Sequence, residues 1–109
     1  DSGSVDTVVS SYAFHHCNEE EKILAVKEMA RILKPAGRIV IADLMFADEE
    51  ARKIFAENCS DAEREDLEDE YFAYVDRLEG VLKTLGFDAR HVQVDPLIWI
   101  VTGDRRAGD

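Results

Sequence analysis

At 109 residues, 46% hydrophobic and 34% charged, the chain is sized for one domain able to bury roughly 60–70% of its unfolded surface. Its 24 acids against 13 lysines and arginines give a formal net charge of −11, which repels phosphate backbones and anionic lipid and so argues against nucleic acid or a membrane face as partner. Cys17 and Cys59 are too few for a disulfide framework and fit a reducing, cytoplasmic setting; no apolar run approaches the ~18–20 residues that span a bilayer.

Val5 to Ser11 is a short apolar run with β-branched Val5, Val8 and Val9. It reads as a strand buried on both faces, as in a parallel sheet covered by helices. Asn18 then stands before Glu19, Glu20 and Glu21, an N-cap followed by acids that complement the positive end of a helix. Ile23, Val26, Ala30 and Leu33 form an apolar stripe at helical spacing, with Met29 beside them, and Pro35 with Gly37 ends that helix. Arg38 to Ala42 reads as a second buried strand, completing a βαβ unit.

From Asp48 to Leu85 the pattern is helical but broken. Asp48 is positioned to cap Ala51, Ile54, Phe55 and Asn58, and Ser60 or Asp61 to cap a further short helix. Glu63 to Glu70 is dominated by acids; a solvated face is its ordinary reading and a lid over a cationic substrate its sharper one. Tyr71, Phe72, Val75, Leu78, Leu82 and Leu85 continue a helical stripe to Gly86. Ala89–Val94 and Leu97–Thr102 read as an antiparallel hairpin turning at Asp95-Pro96, and 104–109 as a frayed polar tail.

The residues able to carry chemistry gather at the ends of the two central strands. Ser10, Ser11, Tyr12, Ala13, Phe14, His15 and His16 follow the first, and Asp43, Leu44, Met45 and Phe46 follow the second. In open α/β sheets, ligands bind in the crevice at the carboxyl ends of the strands. His15 and His16 have two readings, as groups facing a ligand or as helix-capping and packing residues. Tyr12 and Phe14 fit core or wall equally, and Asp43 fits a site mouth or a cap of the following turn. Consecutive His15, His16 and Cys17 do not converge readily on one ion, so no metal site is assigned. The Gly-x-Ser-x-Gly elbow of a serine hydrolase and a Gly-rich phosphate loop are both missing from these residues.

Ser4-Val-Asp-Thr-Val-Val-Ser-Ser-Tyr-Ala-Phe-His-His16 resembles the fourth strand and following loop of class I (Rossmann-like) S-adenosylmethionine-dependent methyltransferases. Leu33-Lys-Pro-Ala-Gly-Arg-Ile-Val-Ile-Ala-Asp43 is similar to that family's helix end, turn and fifth strand, where Lys-Pro-Gly-Gly is usual. Ala36 replaces the first glycine, at a position read here as not needing positive φ. Gly86-Phe87 before the hairpin resembles the approach to the sixth and seventh strands.

The resemblance implies an α/β fold, the C-terminal half of a doubly wound, mostly parallel sheet with a closing antiparallel hairpin and helices on both faces. All of 1–109 forms a single, partial domain. It implies S-adenosyl-L-methionine as cofactor and a small molecule as methyl acceptor. Ser11, Tyr12, Ala13 and Phe14 are carried over as the wall at the methionine end of the cofactor, and His15, His16 and Asp43 as candidates on the acceptor side. The Gly-rich loop and ribose-binding acid of the family have no counterpart in these residues, so the chain alone is expected to bind the cofactor weakly and to be inactive. Two further expectations follow. The chain self-associates through the apolar strand edge at 5–11, and, as the competing reading, it is a non-enzymatic interaction module.

Overall fold

The computed structural model describes residues 3–11, 17–68 and 72–106. In chain order they form β1 (Val5–Ser11), α1 (Glu19–Ile32), β2 (Leu33–Phe46), α2 (Glu49–Glu57), α3 (Asp61–Glu68), β3 (Ala73–Tyr74), α4 (Val75–Thr84), β4 (Phe87–Asp95) and β5 (Ile98–Arg105). The main sheet runs β1-β2-β5-β4, and β3 adds to the end of β2. β1 and β3 are parallel to β2, while β5 is antiparallel to both of its neighbours. The α/β fold, with a parallel core and a closing antiparallel hairpin, is the one expected.

Local chemistry sets the helix boundaries. At α1, Asn18 Oδ1 accepts from Glu21 N–H and Glu21 Oε1 accepts from Asn18 N–H, each at 2.9 Å, a reciprocal box that satisfies otherwise orphaned donors. Asp48 caps α2 by accepting from Ala51 N–H at 2.8 Å, and Ser60 with Glu63 repeats the reciprocal box at α3. The last carbonyls of α1 are taken up from outside the helix. Gly3 and Ser4 N–H groups donate to Arg31 O and Ile32 O, and the Arg105 guanidinium donates to Ala30 O and Leu33 O. Gly86, with φ 93°, ends α4 as a left-handed residue.

The core lies on one face of the sheet. Ile39, Ile41 and Met45 of β2, Val101 of β5 and Phe87 of β4 are wholly buried beneath Val26 and Ala30 of α1 and Leu78 and Leu82 of α4. A smaller aromatic cluster forms at the end of β2, where Phe46 packs on Phe72 and Phe55 with ring centroids 5.2 and 5.5 Å apart. The helices that build the main core, α1 and α4, thus share a face, and the opposite face carries Val9 and Val92, 66% and 59% exposed. β1 therefore departs from the expectation of a strand buried on both sides. It is the edge strand of the described sheet, with Thr7, Val9 and Ser11 turned outward.

Several boundaries also differ from the sequence reading. α1 stops at Ile32, and Pro35-Ala36-Gly37 lies inside β2 as a register shift against Val5–Thr7 rather than as a separate turn. Ala36 there has φ 63°, which corrects the reading that this position does not need positive φ. Gly37 is required for space, since a Cβ would lie 2.8 Å from Leu33 Cδ2 and 2.9 Å from Lys34 O. The two-residue β3 was not foreseen. β5 continues through Asp104 and Arg105, and Arg106 N–H donates to Gly86 O, so the ordered strand reaches into the segment read as a polar tail. Residues 107–109 lie outside the described residues. Among the described residues, no helix is long and apolar enough to cross a membrane.

Candidate functional site

The parallel register of β1 on β2 places Ser10 opposite Ile41 and Ser11 opposite Ala42. The C-terminal end of β1 and the adjoining stretch of β2 after Ala42 therefore lie at the same edge of the sheet. Ser11 is exposed there and Ser10 is half-buried. Tyr12, Ala13, Phe14, His15 and His16 lie outside the described residues. Of the predicted site residues, Ser11 and Asp43 are thus the two the structure places, and it sets them at the ends of adjacent strands.

Asp43 shares the core-facing side of β2 with Ile39, Ile41 and Met45 and has no exposed surface. Its Oδ1 accepts from Leu44 N–H at 2.8 Å. The carboxylate is thus turned under α1 and engaged with backbone. The second buried charged residue is one that the sequence reading did not single out. Lys22 is 3% exposed, and with Asp43 it makes up the fully buried polar or charged residues among those described. Its Nζ donates to Cys17 O. Burial pushes the Lys22 ammonium below the usual lysine range, against the opposing pull of Glu19, Cys17, Asp43 and Glu21. A signal for Lys22 was present. It sits four residues before Val26 and eight before Ala30, on the buried stripe of the same helix.

At the N-termini of the helices, Arg77 of α4 pairs with Glu19 of α1 at 3.2 Å and Glu49 of α2 at 2.5 Å and lies over the Tyr74 ring at 4.4 Å. One cation therefore ties together three helix starts near the carboxyl edge. Between α1 and α4 runs a groove of about 500 Å³ walled by Ile23, Val26, Leu78, Val81 and Leu85, with Lys22 and Arg77 among its lining. Cys17 and Cys59 are half-buried, and no group of three or more His, Cys, Asp or Glu side chains among the described residues is arranged to hold a metal. His91 lies away from this edge on β4, its Nδ1 3.0 Å from Glu79 Oε2.

Residues 1–41 match the family model described as a methyltransferase domain. Over 105 residues the chain is 38% identical to an uncharacterized methyltransferase of Bacillus pumilus, covering 93% of this chain and 49% of the relative. An uncharacterized methyltransferase of Exiguobacterium sibiricum is 41% identical over 101 residues, covering 89% and 48%. The chain spans about half the length of these curated relatives. Among solved structures, an O-methyltransferase family protein from Burkholderia thailandensis superposes with a TM-score of 0.74 at 17% identity, over 98% of this chain and 32% of that one. The YcgJ protein from Bacillus subtilis superposes with a TM-score of 0.72 at 15% identity, over 98% and 66%. At such identities the structural likeness speaks for the fold alone. With the sequence relatives it upholds the resemblance read from the residues: the chain is similar to the C-terminal half of class I S-adenosylmethionine-dependent methyltransferases.

Proposed function

We propose that this chain forms the acceptor-side half of an S-adenosylmethionine-dependent methyltransferase acting on a small molecule. The observation that carries this reading is the β1/β2 register, which brings Ser11 and the end of β2 to one edge of a parallel pair. When bound, the cofactor supplies a methyl group on a positively charged sulfur, open to in-line displacement. The chain's own residues orient and deprotonate. Ser11, with Tyr12, Ala13 and Phe14, walls the methionine end of the cofactor, and His15 or His16 takes the proton of the acceptor near neutral pH. Asp43, buried and bonded to Leu44 N–H, serves the site by holding the end of β2 rather than by meeting the acceptor.

The site needs a second wall, so the chain alone is weak. Calorimetric titration of S-adenosylmethionine into this chain should give a Kd above about 1 mM, and titration into the chain joined to the first half of the Exiguobacterium sibiricum relative should give a micromolar value. Absence of binding by the joined protein would overturn the reading. Micromolar binding by the chain alone would overturn the half-site.

The exposed edge of β1 favours a second reading, in which the chain pairs with another copy of itself. Val9 is 66% exposed beside that edge. Two copies at −11 each repel, so sedimentation should show association strengthening with salt; a monomer at all ionic strengths and high micromolar concentration removes this reading.

A further inference from the structure

Two features set the groove between α1 and α4 apart from a plain seam between helices. The first is Gly80, which lies inside α4 and on the groove lining. Glycine is a poor helix residue, because it gives up the most backbone freedom and has no side chain to bury. The usual reasons for keeping one do not apply here. Gly80 is not among the positive-φ glycines, and nothing lies within 4 Å of where its Cβ would stand, in contrast to Gly37 and Gly103. Open space above bare backbone is what the close approach of a ligand requires.

The second feature is charge. Glu19, the carboxylate of the lining, is taken by Arg77 at 3.2 Å, and the Lys22 amine bonds Cys17 O. The Thr84 hydroxyl donates to Gly80 O at 2.9 Å. Lys27 is different: it is exposed on the lining and makes no hydrogen bond or ion pair among the described residues. In a chain of net charge −11, the groove thus sets apolar walls of Ile23, Val26, Leu78 and Val81 beside an uncompensated cation. Glu19 to Lys27 spans eight residues of α1, or about 12 Å at the helical rise.

We propose that this groove is a binding site for a single-chain anionic amphiphile, a medium-chain carboxylate. Its hydrocarbon lies over Gly80 between the two helices and its carboxylate meets Lys27. A slender chain suits a space of about 500 Å³, whereas a partner α-helix, about 10–12 Å across, is too broad to enter it. None of these residues is assigned to cofactor or methyl acceptor, so the site stands independently of the function proposed above.

The experiment is calorimetric titration of decanoate, below its micellar range, into the full 109-residue chain and its variants. The parent should bind one decanoate with a Kd of about 1 mM or tighter. Gly80→Leu fills the space and should weaken binding about tenfold or more, while its thermal midpoint stays at or above that of the parent, since leucine is the better helix former. Where Gly80→Leu melts lower, Gly80→Ala supplies the answer, with a higher midpoint and weaker binding together. Lys27→Gln should weaken binding about three- to fivefold; Lys53→Gln, which makes the same change of net charge on α2 outside the groove, should leave it within about twofold. Absence of saturable binding, binding unchanged in Gly80→Leu, or equal losses in the two lysine variants overturns the proposal. Absence of decanoate binding together with self-association that Gly80→Leu abolishes overturns it too, and gives the groove to a second copy of the chain.

Discussion

The two faces of the sheet are built from the same strands and have opposite fates. On one, Ile39, Ile41, Val101 and Phe87 are wholly removed from water beneath α1 and α4. On the other, reached by the alternate residues of the same strands, Val9 and Val92 remain more than half exposed, and Val40 and Ala42 only partly buried. Composition does not separate the faces, since both carry valine and isoleucine. The connections do. The helix between β1 and β2 and the helix before β4 both return over one side. Hydrophobic sequence supplies the tendency to be covered, and topology decides which side is covered.

The comparison is tested most severely by neighbouring residues on β2. Ile41→Ala should lower unfolding free energy by about 2–5 kcal/mol, whereas Val40→Ala, one residue away on the open face, should cost about 1 kcal/mol or less. Urea denaturation of both variants checks this, and equal losses would erase the distinction between the faces.

Glycines sharpen the contrast next. A Cβ on Gly103 would meet Leu82 Cδ2 at 3.1 Å and Leu82 Cδ1 at 3.2 Å, so Gly103→Ala should destabilise by about 1–3 kcal/mol. Gly80 lies in α4 with nothing within 4 Å of its would-be Cβ, and Gly80→Ala should stabilise by about 0.5–1 kcal/mol through helix propensity. Thermal unfolding reads both, and the signs should differ. Ala36→Gly should raise stability by about 0.5–1 kcal/mol, because it relieves a left-handed alanine at φ 63°. The smallest effect belongs to the open side. Val9→Lys should leave stability within about 0.5 kcal/mol of the parent while abolishing any pairing of β1 edges seen by sedimentation.

What could be read beforehand was whatever short stretches specify by themselves. Asn18 before three glutamates, Asp48 before Ala51 and Ser60 before Glu63 each announce a cap, and each forms the expected backbone bond. The first two strands were legible because runs such as Val8-Val9 and Ile39-Val40-Ile41 fit a pleated surface and little else. Exposure was not legible, because burial on both sides was inferred from apolar character, and Val9 shows that apolar character is not burial. Lys22 escaped notice for the converse reason. A lysine is ordinarily placed in water, and Lys22 instead lies on the buried stripe of α1 with its amine bonded to Cys17 O. At Ala36 the family pattern itself carried the warning, since a glycine usually stands there; the chain keeps the left-handed turn and accepts its strain. For the candidate site, Ser11 and Asp43 stand on adjacent strands as the sequence order implies, but the facing of Asp43 follows from strand alternation counted from Ile39 and Ile41, which the motif alone did not supply.

The place of β5 has a consequence for synthesis. This strand is the last of the described elements, yet it lies in the middle of the sheet, bonded to β2 on one side and β4 on the other. A nascent chain that has completed β1, α1 and β2 therefore holds the Arg38–Leu44 edge of β2 unpaired until residues 98–105 have been made. Arg105, which closes the carbonyl end of α1, arrives at the same moment. Closure is a late step between segments far apart in sequence, of the kind that folds slowly and leaves apolar edges open to misassembly meanwhile. Ribosome-bound lengths ending before Ile98 should thus depend on chaperones far more than lengths that include β5.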